Sequence, residues 1–371
     1  MLILVANLGS TSFKFKLLDM DEDGFEVARG GYERIGQKDS PYPSHADVID
    51  VILKELKEKP EAIGFKAVHG GPISGAVRVT DEVIRTMEEF SDVAPAHNPP
   101  YIAAMRAFRE KLPGVPQVAA FETAFHQTIP MTRQVYAIPY EWTEKLGVRR
   151  YGFHGASHRY IATRTAGMLG KESTRRIISC HLGGSCSICA IENGRSVANS
   201  FGMTAQSGVP HNNRVGDFDT FAIQKLLKNG LTLDEIFKKL GREGGMLGMS
   251  GVSPDMRDIE KAAAEGNARA QLALGAFIES VRHYIGAYLV ALGGADVLVF
   301  TGGIGENGIK TREAICKNLD FAGITLDPVK NQVRGKEAEI SKTESRCAIW
   351  VIPTNEELIV ARQTETVLRQ N

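Results

Sequence analysis

At 371 residues the chain is too long for one ordinary hydrophobic core, which predicts two domains. Lysine plus arginine equals aspartate plus glutamate at 44 each, so no global field draws the chain to nucleic acid or an anionic membrane, and any anion site must be local. With 43% hydrophobic and 24% charged residues, the composition is that of an ordinary soluble globular protein.

The apolar start Met1-Leu2-Ile3-Leu4-Val5-Ala6 breaks at Asn7 and Gly9. It lacks a basic leader and a small-residue cleavage site, so it reads as a first strand rather than a secretion signal. No stretch approaches the ~20 apolar residues of a membrane helix, and the expected address is the cytoplasm. Past the glycine turn the chain alternates, placing Ser10, Ser12, Lys14 and Lys16 on one face of a strand and Phe13, Phe15 and Leu17 on the other. An acidic turn over 19–24 and a third strand over 25–28 complete this unit. A helix is predicted over 45–58, and Asn98-Pro99-Pro100 opens another running to 112.

The opening pattern then returns. Residues 176–180 are apolar, Gly183-Gly184-Ser185 turns, residues 186–191 alternate, and Asn193-Gly194 is a two-residue hairpin signal before a short strand at 196–197. Two copies of strand, glycine turn, strand, turn, strand indicate an internal duplication. Thr232 and Glu235 form a capping box. Residues 267–292 make a long, alanine-rich apolar helix, either core or subunit contact. A strand at 296–300, a glycine-rich stretch at 301–308, a helix at 309–319, a strand at 348–352 and a capped helix through 368 follow. Strands and helices alternate, so the fold class is α/β.

Five cysteines leave one over, and Cys186 and Cys189 make a C-x-x-C beside His181. No second such pair exists, and strand residues three apart face opposite ways, so buried reduced thiols are the better reading than zinc or redox chemistry. The chain lacks G-x-x-x-x-G-K-[ST], so phosphates are not held by a P-loop; amides at the first glycine turn with Ser10, Ser12 and Lys14 offer another anion cradle. Gly303 to Gly308 carries G-x-G-x-x-G after a strand, which on pattern alone admits a nicotinamide cofactor, although no parallel partner strand is evident nearby. His154 and His158 stand four apart, but Gly152 and Gly155 oppose a helix over the first. Arg214 sits in a loop of amides, Arg257 beside a helix start, and Glu356-Glu357 in a first helical turn where the macrodipole favours them.

Taken together and in order, Asn7-x-Gly9-Ser10-x-Ser12-x-Lys14, Val68-His69-Gly70-Gly71, Ala94-Pro95-x-His97-Asn98-Pro99-Pro100, Thr123-Ala124-Phe125-His126-Gln127 and Tyr151-Gly152-Phe153-His154-Gly155 resemble the acetate kinases. His181-Leu182-Gly183, Asp255-Met256-Arg257-Asp258-Ile259, Gly303-Ile304-Gly305-Glu306-Asn307 and Pro353-Thr354-Asn355-Glu356-Glu357 extend the resemblance over essentially the whole chain. It implies a divergent member of the acetate/propionate/butyrate kinase family: two duplicated ribonuclease-H-like lobes of the actin-like ATPase kind around a central cleft. One lobe would comprise 1–126 plus 359–371 and the other 127–358.

The implied activity is reversible transfer of a phosphoryl group from ATP to a short-chain carboxylate, giving an acyl phosphate and ADP, with Mg²⁺ as cofactor and a homodimer as assembly. By the same resemblance Glu122, His154 and Arg214 are catalytic. Lys66, Val68, Ala96, Phe153 and Ala205 bind the carboxylate, and Asn7 and Glu356 hold the metal. Ser10, Ser12 and Lys14 hold phosphate oxygens. His181, Gly183, Gly184, Asp255, Met256, Arg257, Gly303, Ile304, Gly305, Glu306 and Asn307 bind the nucleotide.

Departures from the family pattern bear on the substrate. Lys66 replaces an arginine fork with a point charge, Glu122 replaces an aspartate, and Gly184 an asparagine. Ala96 and Ala205 stand for leucine and proline in the pocket wall, which predicts an acid larger than acetate or one with a polar tail. Two other readings stay open on the sequence: a catalytically weak nucleotide-binding member, and the nicotinamide oxidoreductase.

Overall fold

The computed structural model describes residues 1–95 and 97–370; Ala96, expected in the carboxylate pocket, and Asn371 lie outside the described residues. Two six-stranded sheets organise the chain. The first contains β1 (Leu2–Leu8), β2 (Ser12–Asp19), β3 (Phe25–Glu33), β4 (Ala62–Ala67), β5 (Ala76–Arg78) and β6 (Gln117–Phe121) in the order β3-β2-β1-β4-β6-β5. The second contains β7 (Arg176–Leu182), β8 (Cys186–Glu192), β9 (Arg195–Asn199), β10 (Val297–Thr301), β11 (Ala338–Glu339) and β12 (Ala348–Val351) in the order β11-β12-β10-β7-β8-β9. Each begins with an antiparallel meander, adds two parallel strands by helical crossovers, and ends with a short antiparallel edge strand. The two sheets share one topology, as the repeated sequence unit predicts.

The apolar start is a strand because both of its faces are covered. Leu4 and Ala6 pack with Phe13, Phe15 and Leu17 against helices His45–Glu55 and Asn98–Lys111, while Ile3 and Val5 face Ile359 and Val360 of the C-terminal helix Glu356–Arg369. In the second sheet Ile178, Cys180, Leu298 and Phe300 pack against the long helix Ala268–Leu292, and Ile177, Val297 and Val299 face Ile161 and Ala162 of helix Gly155–Leu169. Helices Gly155–Leu169 and Glu356–Arg369 therefore lie between the sheets, where Ala156 joins the cluster under the first sheet. Cys186 belongs to one core of the second sheet and Cys189 to the other, so the C-x-x-C is a pair of buried thiols on opposite faces. Among the described residues no helix is long and apolar enough to cross a membrane.

Three expectations change in detail. The third strand continues to Glu33, because the Phe15 ring lies over Gly30 and fills the space its missing side chain would leave. The glycine-rich stretch is a short helix, Gly302–Asn307, not a loop; Gly302 turns the chain off β10 at φ +75°. β10 does have parallel partners, β7 and β12, which flank it from distant points in the sequence where no local pattern shows them.

Gly64 of β4 admits the C-terminal helix: a Cβ there would stand 2.6 Å from Thr364 Oγ1 and 3.1 Å from Val360 Cγ1. Gly64→Ala is expected to cost about 1–3 kcal/mol through overpacking, read as a lowered midpoint in denaturant unfolding. An unchanged midpoint would show that the helix does not rest on this contact.

Candidate functional site

In doubly wound sheets ligands collect at the carboxyl ends of the parallel strands, and here both sheets turn those ends toward the same region. Asn7 ends β1, Lys66 lies near the end of β4, Glu122 follows β6, His181 lies near the end of β7 and Glu356 opens the helix after β12. The Lys66 ammonium is hydrogen bonded to the Glu356 carboxylate. Burial alone would discharge the lysine; Glu356 and Glu122 outweigh it and hold the ammonium above its ordinary range. Burial likewise opposes charge on Glu356, but Lys66 keeps this carboxylate below the usual value. Asn355 caps the helix, accepting from Leu358 N at 3.3 Å, and the helix N-terminus adds favourable charge.

Glu122 differs. Neither of its carboxyl oxygens has a hydrogen-bond partner among the described residues, the Ala156 amide approaching without completing one. Burial raises its pKa from 4.5 to about 7, with Lys66 opposing and Glu356 adding to the rise. Its backbone is fixed by Gly155 N at 3.0 Å, and a Cβ on Gly155 would stand 2.2 Å from the Glu122 carbonyl, so only glycine lets that helix begin here.

The second side of the site is aromatic and cationic. His154 precedes helix Gly155–Leu169 at φ +57°, a left-handed conformation uncommon outside glycine. Its neighbour Phe153 is anchored through its carbonyl by His126 Nε2 at 2.8 Å and Asn199 Nδ2 at 3.3 Å. The His154 and His181 rings lie 4.0 Å apart. Burial, with His181, His158, Lys66 and Arg214 adding, keeps His154 neutral; burial draws His181 down to about 4 although Glu356 opposes. His181 Nδ1 stands 3.9 Å from Glu356 Oε1, but a neutral imidazole makes no ion pair there, and its close partner is Ser157 Oγ at 2.8 Å. Arg214 is buried enough to bring its guanidinium to about 10, still charged near neutrality, and Nη1 donates to the Ala205 carbonyl at 2.5 Å. Lys66 and Arg214 are thus two buried cations among imidazoles held neutral.

Two glycine turns meet beside His181. A Cβ on Gly183 would lie 3.8 Å from Gly303 N and 3.8 Å from His181 Nε2, and Gly184 O accepts from Asn212 N at 3.1 Å. Glu306 accepts from Gly302 N at 2.9 Å and Thr354 N at 3.4 Å, tying this short helix to the segment that carries Glu356, while Asn307 Nδ2 donates to Gly303 O at 2.9 Å. Arg312, fully buried, donates to Gly305 O at 2.8 Å and to Asn331 and Val333, so the short helix is clamped from behind.

Several expected residues stand elsewhere. Lys14 is 65% exposed and lies 3.8 Å from Glu33; Lys16 instead reaches Glu357 at 3.6 Å, and Asn7 Nδ2 reaches Glu357 Oε1 at 3.5 Å. Ser12 Oγ curls over Gly9, and Ser10 is exposed. Arg257 is 88% exposed and pairs with Asp255 at 2.5 Å, while the Met256 side chain and Ile304 belong to the core of the second sheet. Val68 packs under the first sheet beside His69, whose ring lies 5.9 Å from that of Phe153. His97, quoted in the H-N-P-P motif but given no role, is drawn to about 4 by burial, with Arg214 and Lys66 adding. His126, His158, Ser157 and Ser187 likewise carry no role in the sequence reading: His158 and Ser157 stand within four residues of His154 and His126 lies in a quoted motif, but Ser187 is distant in sequence and reaches the two histidines only through strand β8. Two surface cavities, of about 450 and about 550 Å³, open at the opposite, amino ends of β7, β10 and β12 among mixed charges such as Arg176 and Asp296.

Glu356, which opens the C-terminal helix, and Asn7, near the end of β1, offer hard oxygen donors suited to Mg²⁺. Among the described residues no three His, Cys, Asp or Glu gather as a complete metal cage.

The chain matches the model of the acetokinase family over residues 2–362. It belongs to that family. An acetate kinase of Natranaerobius thermophilus is 45% identical, with 99% of this chain and 100% of that protein covered. Among solved structures, an acetate kinase of Porphyromonas gingivalis superposes with a TM-score of 0.91 at 42% identity, and a propionate kinase of Francisella tularensis with 0.92 at 36%, each covering 99% of both chains. The chain therefore carries the two-lobe fold of those kinases, and membership argues against the nicotinamide reading of Gly303–Gly308.

The raised pKa of Glu122 gives a signed expectation. A carboxyl whose folded pKa lies above its unfolded value contributes stability below about 4.5 that is lost as pH rises through about 7. Glu122→Gln escapes that loss, so its stability relative to the parent is expected to be higher near pH 8 than near pH 5 in thermal unfolding. A difference that does not widen with pH would place the Glu122 pKa in the ordinary range.

Proposed function

We propose that this member of the acetokinase family is a carboxylate kinase, moving the γ-phosphoryl of ATP reversibly to a short-chain acid to give acyl phosphate and ADP. The observation that carries the reading is the convergence of buried Lys66 and Arg214 with neutral His154 and His181 where the strand ends of both sheets meet. Phosphoryl transfer asks for charge neutralisation and in-line placement with little covalent chemistry. An oxygen of the acid forms the new O–P bond, the bond to ADP breaks, and no proton need move.

In this reading Lys66 receives the carboxylate, with Phe153, Val68 and Ala205 around its tail. Arg214 and His154 donate to phosphoryl oxygens as these gain charge. Glu122, catalytic by the resemblance, lies beside Lys66 as a carboxyl that burial lifts toward neutrality. The Gly183-Gly184 turn, His181 and the Gly303 to Asn307 segment hold nucleotide, with Asp255 to Arg257 at its margin and Ser10, Ser12 and Lys14 at the first glycine turn on the phosphate side. Asn7 and Glu356 would hold Mg²⁺, which supplies positive charge against the nucleotide phosphates. The lobes are assigned as 1–126 with 359–371 and 127–358. Exposed Leu272 and Val290 on the helix Ala268–Leu292 support a homodimer through that helix, and five unpaired thiols suit a reducing cytoplasm.

A hydroxamate-trapping assay with Mg-ATP and short acids tests the activity. Arg214→Ala and His154→Ala are each expected to lower kcat by about 10²-fold or more; near-normal turnover in both would remove their roles. Alanine at 205 widens the tail pocket, and each buried methylene is worth about 0.8 kcal/mol. The kcat/KM is therefore expected to be higher for propionate or a larger acid than for acetate. A maximum at acetate would overturn this preference.

A further inference from the structure

Behind His154 lie three polar side chains that the phosphoryl-transfer reading does not use, and their hydrogen bonds form one line. Ser179 Oγ is 2.9 Å from His158 Nδ1, His158 Nε2 is 2.8 Å from Ser187 Oγ, and Ser187 Oγ is 2.8 Å from His154 Nδ1. Ser179, His158 and Ser187 are each 0% exposed, and burial keeps both imidazoles neutral. A neutral imidazole has one N–H and one lone pair, and a hydroxyl has one hydrogen.

One arrangement gives every hydrogen between Ser179 and His154 an acceptor and leaves only the His154 Nε2–H, which is not among the buried unpartnered atoms, to face outward. Ser179 donates to His158 Nδ1, His158 Nε2–H donates to Ser187, and Ser187 donates to His154 Nδ1. His154 then carries its own hydrogen on Nε2, the ring nitrogen without a partner among the described residues. If the line runs the other way, the Ser179 hydroxyl hydrogen has no acceptor among the described residues. If Ser187 accepts from both histidines, its own hydrogen is the orphan. A buried donor without a partner bears its whole desolvation penalty, so the inward direction is favoured. A neighbouring line has the same sense on independent grounds. The Phe153 carbonyl accepts from His126 Nε2, which leaves His126 Nδ1 to accept from Ser196 Oγ at 2.8 Å.

We infer that Ser179, His158 and Ser187 are positioning residues: a directed hydrogen-bond relay that holds His154 as the Nε2–H tautomer, a donor toward the phosphoryl group. The relay works against its surroundings, because Lys66 and Arg214 nearby would draw a bare lone pair toward the cleft. The inference rests on the proposed role of His154 for its catalytic consequence, but the tautomer is a separate observable.

Ring ¹⁵N–¹H correlation spectra of the full chain test it. The parent is expected to show His154 protonated on Nε2 and bare on Nδ1, and Ser187→Ala and Ser179→Ala to populate both tautomers. Ser187→Ala is also expected to lower kcat by about tenfold, with KM for ATP and acid within about twofold, while Ser187→Thr, which keeps the hydroxyl, restores turnover. An Nδ1–H parent, or a parent-like His154 spectrum in both serine-to-alanine variants, would overturn the relay. Should one variant fail to fold, the other still reads the tautomer. Normal turnover in His154→Ala would remove the phosphoryl role and leave the tautomer result standing.

Discussion

The arrangement of the molecule turns on a buried ammonium shared between carboxylates. Lys66 enters on the first sheet, Glu356 arrives on the helix that follows the last strand of the second, and Glu122 follows β6. Each of these charges would be costly alone in such a place. Lys66 and Glu356 stay ionised because each has the other, whereas Glu122, without a hydrogen-bond partner among the described residues, is lifted toward neutrality. The pairing joins the first sheet to the segment leaving the second, so the electrostatics that prepare the site also hold its two halves in register.

Around that corner the imidazoles carry shape and hydrogen bonds rather than charge. His126, His154, His158 and His181 are all drawn down by burial, which leaves Lys66 and Arg214 as the formal cations among them. A neutral ring donates from one nitrogen only, so its usefulness depends on which nitrogen holds the hydrogen. Serines on strands β7 and β8 and on the helix Gly155–Leu169 supply that control. The left-handed backbone at His154 persists because Phe153 and the start of the helix are both fixed by hydrogen bonds to other elements.

Much of this was legible in the amino-acid order. The alternation of Phe13, Phe15 and Leu17 against Ser12 and Lys14 is a strand with one buried face, and its counterpart in β7 to β9 announces a duplicated topology. Local patterns failed where partners are distant. The parallel neighbours of β10 come from either side far along the chain, so its glycine-rich exit read as a loop of uncertain context. Alternation also placed Lys14 and Lys16 together on one face without distinguishing them. Strand β3 gives Lys14 the exposed Glu33, while the C-terminal helix gives Lys16 the half-buried Glu357. The resemblance marked His154, Arg214 and Glu356 as members of one family pattern, but no one-dimensional pattern shows that Glu122 has no hydrogen-bond partner among the described residues or that Ser187 lies between two histidines.

The C-terminal helix has a bearing on how the protein comes into being. It covers Ile3 and Val5 with Ile359 and Val360, which are made much later. During synthesis the first sheet waits with one greasy surface bare until that helix has left the ribosome, an interval in which such a surface invites aggregation. The same late arrival supplies Glu356, so a nascent chain that stops short of this helix lacks the full charge set of the site.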